Sequence, residues 1–107
     1  MKRIDLSQLY FMVEKYSKSI KRGRLKWFER ELKKCKYPEK FPASKEIERF
    51  LLKRHKIVPE KKLFDFCLIV VDWLIGQNEK RWNVWRKVES RIRKNKRMPD
   101  VIRRYLA

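Results

Sequence analysis

The sequence predicts an all-α fold, a compact bundle of five to six short helices around a central apolar helix near residues 59–75. Glycine is rare, with two residues in 107, and threonine is absent. Lys, Arg, Glu and Leu outnumber Val and Ile, which favours helices over strands. Apolar residues also recur every three to four positions along much of the chain. The length fits one domain, and we expect it to span residues 1–107.

Three amphipathic helices are predicted before the central one, near residues 6–21, 24–36 and 45–56. Asp5 or Ser7 can cap the first helix, and Gly23 is a good C-terminal stop for it. A loop with two prolines follows the second helix, and Ser44 can cap the third. Short side chains and glycine therefore mark the ends of these segments.

The segment LFDFCLIVVDWLI, residues 63–75, is apolar almost all round, which is typical of a buried central helix. Pro59 suits the first turn of this helix. Ile69, Val70 and Val71 would also fit a buried strand, but no partner strand is visible, so helix is favoured. The segment contains Asp65 and Asp72 and is too short to span a bilayer.

Two further helices are predicted after Gly76, which ends the central helix. Asn78 can cap a fifth helix near 79–95, in which Trp82, Trp85, Val88 and Ile92 recur at helical spacing. Pro99 opens a short last helix that carries Val101, Ile102, Tyr105 and Leu106.

The net charge is +18, far more than solubility alone requires. Residues 1–38 carry twelve Lys/Arg and four Asp/Glu, residues 39–79 carry eight and seven, and residues 80–107 carry eleven and two. The ends are therefore strongly basic and the middle is nearly neutral. Such an excess indicates an anionic partner, most commonly nucleic acid, although a basic protein without one remains an alternative. If the two ends meet in the fold, they form one basic face.

The fifth helix organises its charge on one side. At 100° per residue, Trp85, Val88 and Ile92 point one way, and the opposite side carries Lys80, Asn83, Lys87, Arg91 and Lys94. Arg86 and Arg93 flank that side. A basic helix face can contact phosphates, and Asn83 could pair with adenine. A solvated helix face with a surface asparagine is the alternative.

Trp27 and Trp82 lie off the main apolar stripes of their helices, beside cations. Core packing is favoured for both, more strongly for Trp82, while stacking on an unpaired base and cation–π pairing are the alternatives. Trp73 and Trp85 are assigned to the core. A protein partner covering Phe11, Trp27 or Leu52 is a further possibility.

Two turns concentrate basic residues, near residues 18–26 and 91–97. Gly23 in the first turn would let backbone amides approach a phosphate. The candidate nucleic-acid-binding residues are Lys21, Arg22, Arg24, Trp27, Arg30, Lys34, Lys80, Asn83, Arg86, Lys87, Arg91, Arg93, Lys94, Lys96, Arg97, Arg103 and Arg104.

No catalytic or metal-binding pattern is recognised in the sequence. Cys35 and Cys67 form no CxxC or Cys/His cluster, and two reduced, half-buried thiols are expected. His55 is expected at the surface or at a helix end. Asp65 and Asp72 share one side of the central helix and are expected to pair with cations or to mark its exposed strip. No cofactor and no enzymatic activity are expected.

The sequence therefore predicts a non-enzymatic nucleic-acid-binding protein, with DNA slightly favoured over RNA. The alternative is an accessory or assembly subunit of a nucleoprotein complex that binds a protein partner, or itself, and nucleic acid jointly. Membrane attachment is not expected, because the apolar faces are needed for the core. The chain lacks an apolar signal segment at its start, so a soluble, cytoplasmic protein is expected. The abundance of Lys and Glu hints at a thermophilic source.

Overall fold

The computed structural model describes residues 2–54 and 56–105, with only the backbone described at Tyr105. The described elements are β1 (Lys2–Arg3), α1 (Leu6–Lys15), α2 (Ser17–Lys21), α3 (Lys26–Lys33), β2 (Cys35–Lys36), α4 (Ser44–Arg54), α5 (Glu60–Ile75), α6 (Glu79–Lys94) and α7 (Asp100–Tyr105). The all-α fold class is confirmed. Seven helices occur in this part of the chain instead of five to six, because the first predicted helix is divided.

The division falls at Tyr16, between α1 and α2. Tyr16 has φ −99° and ψ 14°, outside the helical region, and its N–H donates to the carbonyls of Met12 and Glu14. Leu9, Val13 and Ile20 are nevertheless all fully buried. No glycine or proline accompanies the break, which is why apolar spacing alone predicts one continuous helix.

The second predicted helix is shorter than expected, because the chain leaves helical geometry after Lys34 and pairs with the N-terminus. Lys2 and Arg3 of β1 lie opposite Cys35 and Lys36 of β2 in parallel register. The N–H of Ile4 extends this pairing with a 3.1 Å hydrogen bond to the Lys36 carbonyl. The sequence did not predict this two-stranded contact, which joins distant parts of the chain.

Most of the predicted helix ends are confirmed within one or two residues. Asp5, and not Ser7, caps α1, and its carboxylate accepts from the N–H of Gln8 at 2.9 Å. Ser44 is the first residue of α4 instead of its cap. Pro59 is the N-cap residue of α5 and therefore lies one position before its first turn. Gly76 ends that helix with φ 52°. The expectations for His55 and Leu106 concern residues outside the described part of the chain.

Helix α5 is the centre of the core, as predicted, and helices α3, α6 and α7 pack around it. Phe66 of α5 stacks on Phe28 of α3, with ring centres 5.4 Å apart, and on Phe50 of α4 at 6.5 Å. Trp85 of α6 is also buried, with 1% of its surface exposed. Burial of each large aromatic side chain contributes about 2–3 kcal/mol.

Helices α5 and α6 are joined by the short turn 76–78 and run as a hairpin, with α7 packed back onto both. Helix α4 packs on α6 and α1. Among the described residues, one side of α6 is exposed. Within the described residues, no helix combines the length and apolarity needed to cross a bilayer.

Candidate nucleic-acid interface

Helix α6 begins at a strong local cap. The Asn78 side-chain oxygen accepts hydrogen bonds from the N–H groups of Lys80 and Arg81 at 3.0 and 3.3 Å. Glu79 in the first turn and cations in the last turn also match the helix dipole. Every third or fourth residue is buried, and this stripe consists of Arg81, Trp85, Val88 and Ile92.

The opposite side of α6 is exposed. We define the basic face as Lys80, Asn83, Arg86, Lys87, Arg93 and Lys94, all of which are exposed. Within the described residues, none of its five cations has a carboxylate within 4.0 Å. Unpaired like charges on one helix raise the local positive potential and favour anionic ligands. The side of α6 that the sequence predicts to be basic is therefore exposed, and its positive charges are not paired with carboxylates.

Arg91 differs from the rest of the predicted set, because it is paired across the helix interface. Its Nε forms an ion pair with Glu48 of α4, and the Glu48 side chain is only 12% exposed. Asn95 donates to the other Glu48 oxygen at 3.0 Å. Arg91 therefore lies at the α4 edge of the basic face, with its charge partly compensated.

The C-terminal arginines are brought together at the end of α6. Arg93, Arg103 and Arg104 line a surface depression of about 350 Å³ together with Asp100. Arg103 donates to the Arg93 carbonyl at 3.3 Å and to Asp100 at 3.5 Å, which fixes its guanidinium group against the helix end. Lys96 and Arg97 are exposed in the intervening turn, so this cluster continues the basic face.

Trp82 is exposed, which contradicts its predicted core packing. The residue has 41% of its surface exposed, and the guanidinium carbon of Arg86 lies 5.7 Å from the centre of its ring. Trp82 lies three residues before Trp85, which rotates it by about 60° from the buried stripe. A partly exposed indole beside a cation can stack on an unpaired base.

The N-terminal basic turn connects α2 and α3, and Lys21, Arg22 and Arg24 are exposed there. Gly23 has φ 74° and donates to the Ile20 carbonyl at 2.9 Å. The N–H of Arg24 donates to the Ser19 carbonyl at 2.8 Å, and these two bonds form a Schellman cap. The N–H groups of residues 23 and 24 are therefore already engaged within the chain and are not free to donate to a phosphate.

Trp27 is also exposed, at 54%, so the prediction that it packs in the core is wrong. The guanidinium carbon of Arg30 lies 5.1 Å from the Trp27 ring centre. Lys34 pairs with Glu31 at 3.2 Å, which reduces the free charge at this end of α3. Trp27 lines a groove between α3 and α5 together with Lys62 and Asp65.

Both basic ends are carried by elements that pack on α5. An added Cβ on Gly23 would lie 3.3 Å from the Lys62 side chain, so the α2–α3 turn contacts the first turn of α5. Helix α7 packs on α5 and α6. The two basic clusters therefore share one supporting helix.

Sequence analysis did not single out Arg81, which is buried with 9% of its surface exposed. Its guanidinium group donates to the carbonyls of Leu74, Pro38 and Glu39. Burial lowers the pKa of Arg81, while the nearby Tyr37 raises it and Arg3 lowers it further. The helical spacing of the sequence could have indicated that Arg81 is buried, because it lies on the same stripe of α6 as Trp85. Arg81 anchors the loop before α4 and is not available to a ligand.

The other reactive groups in the described part of the chain form no compact site. Asp65 and Asp72 are exposed on α5, as expected if they mark the exposed strip of this helix. An Asp65 carboxylate oxygen lies 3.9 Å from the Lys62 ammonium group. Cys35 and Cys67 are free thiols, the first half-buried and the second fully buried. Burial raises the pKa of Cys67 to about 12. Among the described residues, no three His, Cys, Asp or Glu side chains are grouped closely enough to hold a metal ion.

Comparisons of the chain with protein-family models, with curated proteins and with solved structures find no significant match.

Proposed function

We propose that the protein is a non-enzymatic nucleic-acid-binding protein that uses the basic face of α6 and the adjoining C-terminal arginines as its main contact. The observation that carries this proposal is the unpaired charge of the basic face on a well-capped helix. Lys and Arg on such a face would contact phosphates, and the release of counterions would supply most of the affinity.

The shape of α6 favours duplex DNA over duplex RNA. The helix has 16 residues and is therefore about 24 Å long. The major groove of B-DNA is about 12 Å wide and admits a helix, whereas the major groove of A-form RNA is too narrow for side chains to enter. Asn83 lies exposed on this face, where its amide can reach an adenine edge.

Exposed Trp82 supports binding to single strands as a second mode. Its indole and the Arg86 guanidinium group lie side by side on the edge of the basic face. Stacking on such a platform contributes about 1–3 kcal/mol per base and tolerates any sequence. Trp82→Ala would then weaken binding to single strands and leave duplex binding nearly unchanged.

The proposal is tested by fluorescence anisotropy with duplex DNA, single-stranded DNA and structured RNA at low and moderate salt. We expect duplex DNA to bind most tightly and every affinity to fall steeply as salt rises. Affinity that hardly changes with salt, or no binding at low salt, would overturn the proposal.

The alternative role, an accessory subunit that binds a protein partner and nucleic acid jointly, is favoured by Phe11. This side chain is 76% exposed, whereas Leu52, also expected at such a surface, is partly buried against the core. In that role the isolated chain would bind nucleic acid weakly, and the partner would restore tight binding. Tight salt-dependent binding by the isolated chain would contradict it.

A further inference from the structure

A groove lies between α3 and α5. Its first part has a volume of about 720 Å³, and Trp27 lies along it. A second depression of about 340 Å³ continues it towards Tyr37 and Trp73, and the two share Glu29, Ile69 and Asp72 as lining residues. We call the two parts together the α3–α5 groove.

The floor of this groove is apolar and only partly covered. Leu68 and Ile69 of α5 and Trp73 are half-buried, and Leu25 closes the side next to α3. Trp27, more than half exposed, lies along its wall. An exposed tryptophan beside an apolar depression is typical of a protein interface, because tryptophan is enriched among residues that dominate binding energy.

The charge of the groove differs from that of the rest of the protein. Its first part is lined by three cations and three carboxylates, so it is neutral in a chain with a net charge of +18. Within the described residues, Asp72 has no ion-pair partner. A phosphate backbone would meet carboxylates here, so the groove is unsuited to nucleic acid. Two copies of a strongly basic protein would repel each other less at this neutral first part than elsewhere, although the second depression adds Lys33, which pairs with Glu29 at 3.4 Å, and Lys36.

Among the described residues, unpaired cations and an unpaired carboxylate lie at different places along the groove, so two copies can complement each other there. Arg24 and Lys26 lie next to Trp27 in the first part, and Asp72 lies where the second depression begins. A two-fold axis across the groove would place Arg24 and Lys26 of one copy opposite Asp72 of the other, and the reverse contact would form as well. The same operation brings each Trp27 towards the second depression of the other copy.

We propose that the α3–α5 groove is a two-fold interface between two copies of this chain. Trp27 of each copy enters the apolar depression beside Ile69 and Trp73 of the other. The cations next to Trp27 pair with the other copy's Asp72. This surface is separate from the basic face of α6, so dimerisation leaves that face of each copy free for its ligand.

Sedimentation velocity over about 1–100 µM tests the interface, since dimers of moderate affinity dissociate in this range. We expect a monomer–dimer equilibrium, which Trp27→Ala weakens by about tenfold or more. Phe11→Ala is the matched control, because Phe11 is a more exposed aromatic residue outside the groove. A monomer at all concentrations, or equal effects of the two variants, would overturn the proposal.

A charge-swap experiment tests the two-fold arrangement itself. Asp72→Lys and Lys26→Asp should each abolish self-association, because each places like charges opposite each other twice. An equimolar mixture should restore the dimer as a heterodimer, since both contacts then become attractive. Circular dichroism establishes that each exposed-site variant is folded. A mixture that stays monomeric would contradict the two-fold arrangement.

The salt dependence of dimerisation and that of nucleic-acid binding distinguish this inference from the proposed function. Salt screens both the repulsion between the net charges of +18 and the attraction of the proposed ion pairs, so dimer affinity should change much less with salt than nucleic-acid binding, which should weaken steeply. The Asp72→Lys monomer should bind a short duplex with one binding site at least as tightly as the native chain. Loss of the dimer without loss of duplex binding would leave the proposed function intact.

Discussion

The guanidinium carbon of Arg81 lies 4.0 Å from the centre of the Tyr37 ring. Arg3 approaches the same ring at 5.8 Å and donates a 3.0 Å hydrogen bond to the Tyr37 carbonyl. Tyr37 is therefore held by two cations from opposite ends of the chain. Because Arg81 also donates to the carbonyls of Pro38 and Glu39, it attaches this loop to the first turn of α6.

Arg81→Met should destabilise the protein by about 2–3 kcal/mol, because three backbone carbonyls lose their charged donor. For a chain of this size, Tm should fall by about 10 °C or more. Arg86→Met is the matched control, since Arg86 is exposed on the same helix and its loss should change stability by less than about 0.5 kcal/mol. Equal shifts in urea unfolding would show that Arg81 does not anchor the loop.

Gly76→Ala should destabilise the fold more than Gly23→Ala. Both glycines have positive φ, 52° and 74°, so each alanine costs about 1–2 kcal/mol in backbone strain. A Cβ at Gly76 would also lie 2.7 Å from the Tyr37 ring, whereas one at Gly23 would meet the flexible Lys62 at 3.3 Å. Thermal unfolding of the two variants checks this difference, and a larger loss at Gly23 would contradict it.

Cys67 should not react with a thiol reagent at pH 8 in the folded protein. Burial raises the pKa of this thiol from 9.0 to about 12, so the reactive thiolate is almost absent. Since the folded pKa is raised, the stabilisation linked to Cys67 is present below about pH 8.5 and is lost as pH rises towards 12. Cys35, which is half-buried, should react first.

The kinetics of modification by a colorimetric disulfide reagent measure this difference. Cys35→Ser should remove the faster phase, and the remaining thiol should react only at the rate of unfolding. Two rapidly modified thiols in the native protein would show that Cys67 is accessible.

The helices could be predicted because their signals are local. Asp5 and Asn78 cap the helices that follow them, and Gly76 ends α5 with a positive φ. The break at Tyr16 has no such marker. The pairing of β1 with β2 joins residues 33 positions apart in the chain, so no local pattern could reveal it.

The candidate interface was predictable in part for the same reason. Helical spacing alone separates Lys87 and Lys94 from the buried stripe of α6. The partner of Arg91 could not be predicted, because Glu48 belongs to a different helix. Arg81 was missed because a cation in a basic chain is expected at the surface, and its backbone acceptors are seven or more residues away.

The central claim is that the basic face of α6 contacts phosphates, and the salt dependence of duplex binding tests it most directly. The variant Lys87→Gln/Lys94→Gln removes two unpaired charges from this face, and Lys40→Gln/Lys53→Gln removes two exposed charges elsewhere. Lys45 and Arg49 are less suitable controls because they share a depression with Arg97. The first double variant should reduce the slope of log K against log salt by about 2, and the control by much less. Equal slopes for the two double variants would contradict the claim.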